Sequence, residues 1–234
     1  MVGYSLHIGL NKVLKAGYRR APELKGCVND ALALYDLAEG AGFQAAALLD
    51  EAGTVHKVTA HIFQMSRRLT AGDIFVLTYS GHGAQVLDED GDEEDGLDET
   101  WVLYDYQLLD DRLHQLWARF AAGVRIVIIS DSCHSGTIAK TVNSLNPEWR
   151  QRPECQASGL QLGSCQDYQQ SLDGNPHGAF THQLLQVWDG GRFQGNYQDF
   201  HQAIAERLPQ SQQPSYLTFG RTDEAFLQQR PFTV

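Results

Sequence analysis

Two side chains in this sequence, a thiol and an imidazole, stand in matching local surroundings. His82 lies in Tyr79-Ser80-Gly81-His82-Gly83, directly after an apolar run over 74–78. Cys133 lies in Asp131-Ser132-Cys133-His134-Ser135-Gly136, directly after an apolar run over 124–129. A free thiol has a pKa of roughly 8.5, so only a few per cent is thiolate at neutral pH, and an imidazole within reach takes the proton during attack. The same imidazole can hand a proton to a departing amine. Gly81 and Gly83 leave the backbone beside His82 open to a substrate, and the N–H groups of Gly83 and Cys133 are candidate donors to an oxyanion. His134 competes as a base, but neighbours on an extended chain point to opposite faces. Taken singly, a cysteine is more often a small buried apolar residue. The repeated order of strand, small residue and reactive group is what argues for one site.

The pair can meet only if the elements before it bring it together. Both apolar runs are short, β-branched and without alternation, which predicts strands buried on both faces. In an open parallel sheet, sites form beyond the carboxyl ends of the strands. The spacing predicts a strand over 4–10, then a helix over 27–41 with Val28, Leu32 and Tyr35 on one face beside Ala31 and Ala38. A strand over 43–49 follows. Thr54 caps the next helix, where Val55, Val58, Ile62, Met65 and Leu69 recur at helical intervals. After the strand leading to His82 come an acidic run over 88–99, a short strand over 100–104 and a helix over 110–122. The strand leading to Cys133 follows.

Over 137–158 the periodicity is lost, as in a functional loop or linker. Beyond it the pattern predicts a strand over 159–165, helices over 178–188 and 197–208, and a last strand over 214–219. That strand opens with proline and is expected at an edge. Strand-helix alternation of this kind predicts an α/β protein with a parallel sheet.

Composition narrows the function classes. The chain has 234 residues, 42% apolar and 20% charged, enough for a substantial core. A net charge of −11 argues against a general nucleic-acid surface. Four cysteines without a CxxC pair make neither a disulfide framework nor a structural zinc site. The sequence shows no signal-peptide pattern and no apolar run of membrane-spanning length. A reducing, cytoplasmic setting is the expectation for a reactive thiol.

The motifs around His82 and Cys133 resemble those of metacaspases and their bacterial relatives, the orthocaspases, which are caspase-like cysteine peptidases. The stretches over 24–31, 95–99, 178–181 and 213–215 resemble further motifs of that family, in the same order. The resemblance implies a caspase-like three-layer α/β sandwich with a mainly parallel six-stranded sheet. It implies a single domain over 1–234, with a large-subunit-like region over 1–136, a linker over 137–158 and a small-subunit-like region over 159–234.

The same resemblance implies a Cys133 nucleophile, His82 as general acid and base, a monomer, and peptide substrates cleaved after Arg or Lys. Asp30, Asp131, Ser80 and Cys27 would line the pocket for that residue. Two carboxylates facing one guanidinium suit Arg better than Lys. No cofactor is required for the chemistry. The acidic run does not fit the EF-hand pattern. Many metacaspases need calcium, and Asp98, Asp110 and Asp111 match their ligand positions, while Lys140 lies near the place of a further family carboxylate. Lys140, Arg150 and Arg152 are candidate self-cleavage sites. Two other readings stay open: a catalytically silent regulatory module, and another hydrolase or acyl-transfer enzyme on the same dyad.

Overall fold

A computed structural model describes residues 1–14, 21–88, 96–132, 153–165 and 173–234. Among these, in chain order, stand β1 (Gly3–Gly9), α1 (Cys27–Gly40), β2 (Gln44–Leu49), α2 (Val55–Arg68) and β3 (Ile74–Ser80). There follow β4 (Gly83–Leu87), β5 (Leu97–Val102), β6 (Gln107–Leu109), α3 (Asp110–Trp117) and β7 (Arg125–Asp131). The chain ends with β8 (Ser158–Gly163), α4 (Ala179–Trp188), α5 (Tyr197–Ala205), β9 (Ser215–Gly220) and α6 (Glu224–Leu227).

Six strands form one sheet in the order β2-β1-β3-β7-β8-β9. The first five run parallel, and β9 pairs antiparallel to β8 at the edge. Along the central strands, alternate residues enter two separate cores. Phe75, Leu77, Tyr79, Ile126 and Ile128 pack with Val58, Ile62, Leu113 and Trp117 from α2 and α3. Ile74, Val76, Val127 and Ile129 pack with Leu34, Phe180, Leu184, Phe200 and Ile204 from α1, α4 and α5. Helices on both faces explain why these strands read as unbroken apolar runs. The result is the expected three-layer α/β sandwich. No helix among the described residues is long and apolar enough to cross a membrane.

Three local readings are corrected. The short strand expected over 100–104 is β5, the middle of a separate antiparallel sheet β4-β5-β6. The helix expected over 110–122 ends at Trp117, although Phe120 still packs inward. In α1 the inward face is turned from the one expected. Leu32 is exposed, and Cys27, Asp30, Ala31, Leu34 and Ala38 are buried. An apolar-only count misses this because the helix points a carboxylate, Asp30, into the protein. β1 accepts α1 closely at Gly9, where a Cβ would lie 2.3 Å from the Cys27 carbonyl oxygen.

Candidate active site

Strands β3 and β7 end level. Ser80 pairs with Asp131 on their last rung, and the Gly81 N–H still reaches the Asp131 carbonyl at 3.3 Å. His82 follows Ser80 by two residues, as Cys133 follows Asp131. Cys133, Lys140, Arg150 and Arg152 lie outside the described residues. Alternation along the two strands sends Ser80 and Asp131 to the α1/α4 side, while Tyr79 and Ser130 face the other side.

On the Tyr79 side a network of aromatic rings and hydroxyls holds both strand ends. The His82 carbonyl accepts from Val102 N–H at 2.9 Å and from the Tyr79 hydroxyl at 2.7 Å. Trp101, fully buried, stacks on Tyr79 with centroids 4.7 Å apart. Its indole N–H donates to Ser130 Oγ at 3.0 Å, and Ser130 Oγ lies 3.0 Å from Ser132 Oγ. The Ser132 carbonyl accepts from Ser164 Oγ at 3.0 Å. Gly81 is needed where it stands, since a Cβ would fall 2.5 Å from the Tyr79 oxygen. Gly83 opens β4 opposite Trp101.

The His82 ring is oriented by backbone. Its Nε2 lies 2.8 Å from the Pro22 carbonyl oxygen, which can only accept. The proton of the neutral ring is therefore on Nε2, and Nδ1 is the nitrogen left to take another.

On the other side the four residues expected to line a pocket come together. Asp30, Asp131, Ser80 and Cys27 are all nearly inaccessible to solvent. Asp30 Oδ2 accepts from Ser80 Oγ at 2.8 Å, and Gly178 N–H reaches both Asp30 oxygens at 3.2 and 3.3 Å. His177 Nδ1 lies 2.9 Å from Asp30 Oδ1. Asp131 Oδ2 accepts from the Thr181 N–H at 3.1 Å and its hydroxyl at 2.7 Å. Gly178 stands against both carboxylates: a Cβ there would lie 2.8 Å from Asp131 Oδ2 and 3.2 Å from Asp30 Oδ2.

Burial and the neighbouring Asp131 charge lift Asp30 to about 7, against the Ser80 and Gly178 donors that pull it down. Burial also pushes the Cys27 thiol well up. A Ser80 hydrogen bond opposes the rise, and the charges of Asp131 and Asp30 add to it. Burial raises Cys155 to about 11. Neither Cys27 nor Cys155 has the depressed pKa and exposure of a reactive thiol. Cys165, the remaining described cysteine, is completely buried.

Asp98 on β5 and Asp110 and Asp111 at the start of α3 are also brought together, each offering an oxygen within 4.8 Å of the others. Asp98 and Asp110 are buried. Three hard carboxylate oxygens are a donor set suited to calcium rather than to a soft metal.

Several participants make contacts that the sequence does not announce. Pro22 acts through its carbonyl, in an irregular stretch. His177 and Thr181 reach Asp30 and Asp131 from 147 and 50 residues away. Tyr79 lies in the His82 motif and Trp101 in the strand expected over 100–104, and both are also core residues.

Comparison with known proteins follows the same lines. The family profile described as metacaspase, peptidase C14 domain, matches residues 5–142. Metacaspase-1 of Saccharomyces cerevisiae is 33% identical over 153 residues, 58% of this chain and 35% of that protein. Metacaspase-1 of Cryptococcus neoformans is 36% identical over 152 residues, 57% of this chain and 33% of that one. The aligned part thus spans about a third of these relatives' length. A Geobacter sulfurreducens protein of known crystal structure is 41% identical, with a TM-score of 0.88 over 100% of this chain and 99% of that one. Caspase-1 of Spodoptera frugiperda shares the fold, with a TM-score of 0.65 at 11% identity over 93% of this chain and 88% of its own.

Replacing Tyr79 with Phe keeps the ring stacked on Trp101 but removes the donor to the His82 carbonyl. The expected cost is about 0.5–1.5 kcal/mol in urea denaturation, the worth of one hydrogen bond, with faster amide exchange at Val102.

Proposed function

Because the chain belongs to the metacaspase family of C14 peptidases, we propose that it is a cysteine endopeptidase cleaving after Arg or Lys, with Cys133 as nucleophile and His82 as its acid and base. The observation that carries the reading is the level ending of β3 and β7 at the Ser80–Asp131 rung. From it the chain runs on by equal steps to an imidazole and a thiol, and behind it two carboxylates converge.

In this mechanism His82 Nδ1 takes the Cys133 thiol proton as the sulfur attacks the scissile carbonyl carbon. The oxyanion formed is met by the N–H groups of Gly83 and Cys133. As the C–N bond breaks, His82 gives its proton to the leaving amine, and water, deprotonated by the same ring, hydrolyses the thioester. The Pro22 carbonyl holds the ring in the tautomer this needs. Asp30 and Asp131 would receive the guanidinium or ammonium of the residue before the scissile bond, with Ser80 and Cys27 closing the pocket around it.

Fluorogenic peptides carrying Arg, Lys or Asp before the reporter test the reading. Arg and Lys peptides are expected to turn over, Asp peptides not, and Cys133→Ala to reduce turnover to background. Asp131→Ala is expected to lower kcat/KM for Arg peptides roughly 10- to 100-fold, the worth of a hydrogen bond to a charged group, while the thiol stays alkylatable. Turnover that survives Cys133→Ala, or absence of turnover with calcium present, overturns it.

The pocket also sets a pH dependence. Asp30, raised to about 7, is protonated and neutral below that pH and charged above it. A cationic substrate binds the charged form, so KM for Arg peptides should rise as pH falls through about 7. Asp30→Asn should flatten that rise, as read from KM across a pH series.

Calcium binding at Asp98, Asp110 and Asp111 belongs to the same proposal. Three carboxylates this close repel one another, and a divalent cation would offset that repulsion while holding β5, the strand of Trp101, against α3. Millimolar calcium should raise the Tm, and Asp98→Ala should abolish the rise in differential scanning fluorimetry. An equal rise in the variant would place the cation elsewhere.

A further inference from the structure

The Asp30 carboxylate has a place for about four hydrogen bonds, two on each oxygen. Three donors occupy them in the described structure: Ser80 Oγ on Oδ2, the His177 ring on Oδ1, and the Gly178 N–H shared between the two oxygens. Asp30 is 1% exposed and both its oxygens are engaged, so a cationic side chain that reaches it competes with these donors.

The donors differ in how easily they leave. Gly178 N–H is backbone, at the start of α4, with no room to withdraw beside two carboxylates. Ser80 is buried at the end of a central strand. The His177 ring alone keeps contact with solvent, its side chain 21% exposed. The backbone just before it is anchored separately, where the Asn29 side-chain amide donates to the Pro176 carbonyl at 2.9 Å. Rotation about the His177 side-chain bonds therefore frees Asp30 Oδ1 without moving the chain.

We propose that His177 is a specificity-determining residue of the Asp30–Asp131 pocket, an internal competitor that a substrate guanidinium displaces from Asp30 Oδ1. The inference rests on the reading of this pocket as the seat of a substrate Arg or Lys. The ring occupies Asp30 Oδ1, and a ligand without a cationic group able to take that oxygen gains nothing by moving it. His177 thereby taxes binding of every cationic side chain, and taxes least the one whose planar fork offers most donors in return.

Calorimetric titration with benzamidine, whose amidinium stands for the guanidinium, tests this without requiring turnover. His177→Ala is expected to bind benzamidine roughly fivefold more tightly than the unaltered chain, the scale of one hydrogen bond. His177→Gln, which keeps an N–H donor of similar reach, should return affinity toward the original. Adding Asp30→Asn to His177→Ala should remove the gain. In parallel, KM for an Arg peptide should fall by the same factor in His177→Ala with kcat unchanged. Equal or weaker benzamidine binding by His177→Ala, a gain that survives Asp30→Asn, or binding to neither form overturns the role of His177. Tighter benzamidine binding with no peptide turnover by the unaltered chain overturns the peptidase reading and leaves His177 as assigned.

Discussion

The backbone pairing of β3 with β7 is the constraint on which the site depends. Seven consecutive residue pairs, Ile74–Arg125 through Ser80–Asp131, keep the two strands level to their last residue. A slip by one residue would exchange the faces of a whole strand. Tyr79 would then leave the aromatic side and Ser80 the carboxylate side. Two buried apolar layers hold the register, because Phe75, Leu77 and Tyr79 must meet one set of helices and Ile74 and Val76 the other. Packing deep in the sheet thus determines where polar groups emerge at its end.

The price of that arrangement is two carboxylates buried side by side. Burial disfavours charge, and each carboxylate disfavours charge on the other. The protein answers with oriented donors: Ser80, Gly178 and His177 on Asp30, and the two Thr181 donors on Asp131. Two like charges brought together in this way are a local conflict, and such conflicts in a well-packed protein concentrate where it binds or reacts.

Much of this was readable from residue order alone, and the reasons are physical. Strands buried on both faces announce themselves as short β-branched runs, so β3 and β7 and the residues at their ends could be placed without coordinates. Strongly amphipathic helices such as α2 were equally plain. The inward face of α1 is not legible in the sequence, because burying Asp30 breaks the apolar pattern that betrays an inward face. β4 and β6 carry little signal because they are short and half-polar, and they pair with β5 in a small sheet of their own rather than in the main one. His177 directly precedes the 178–181 stretch, yet nothing in the sequence aims it at a carboxylate 147 residues away. The acidic trio Asp98, Asp110 and Asp111 was identified through family resemblance rather than spacing, and Cys133 itself lies outside what the structure describes.

The connectivity of the sheet has one more consequence. β7 and β8 are neighbours, joined by a parallel ladder from Arg125–Ser158 to Ser130–Gly163. The stretch between them in sequence therefore joins two adjacent strands. The Asp30–Asp131 cluster is stitched across the same seam, by Thr181 to Asp131 and by Gly178 and His177 to Asp30. A single break in the backbone between residues 133 and 152 would leave two fragments still sharing a sheet, two cores and the Asp30–Asp131 cluster. They would behave as a non-covalent complex of complementary halves, the first carrying both carboxylates and the second the His177, Gly178 and Thr181 donors that hold them.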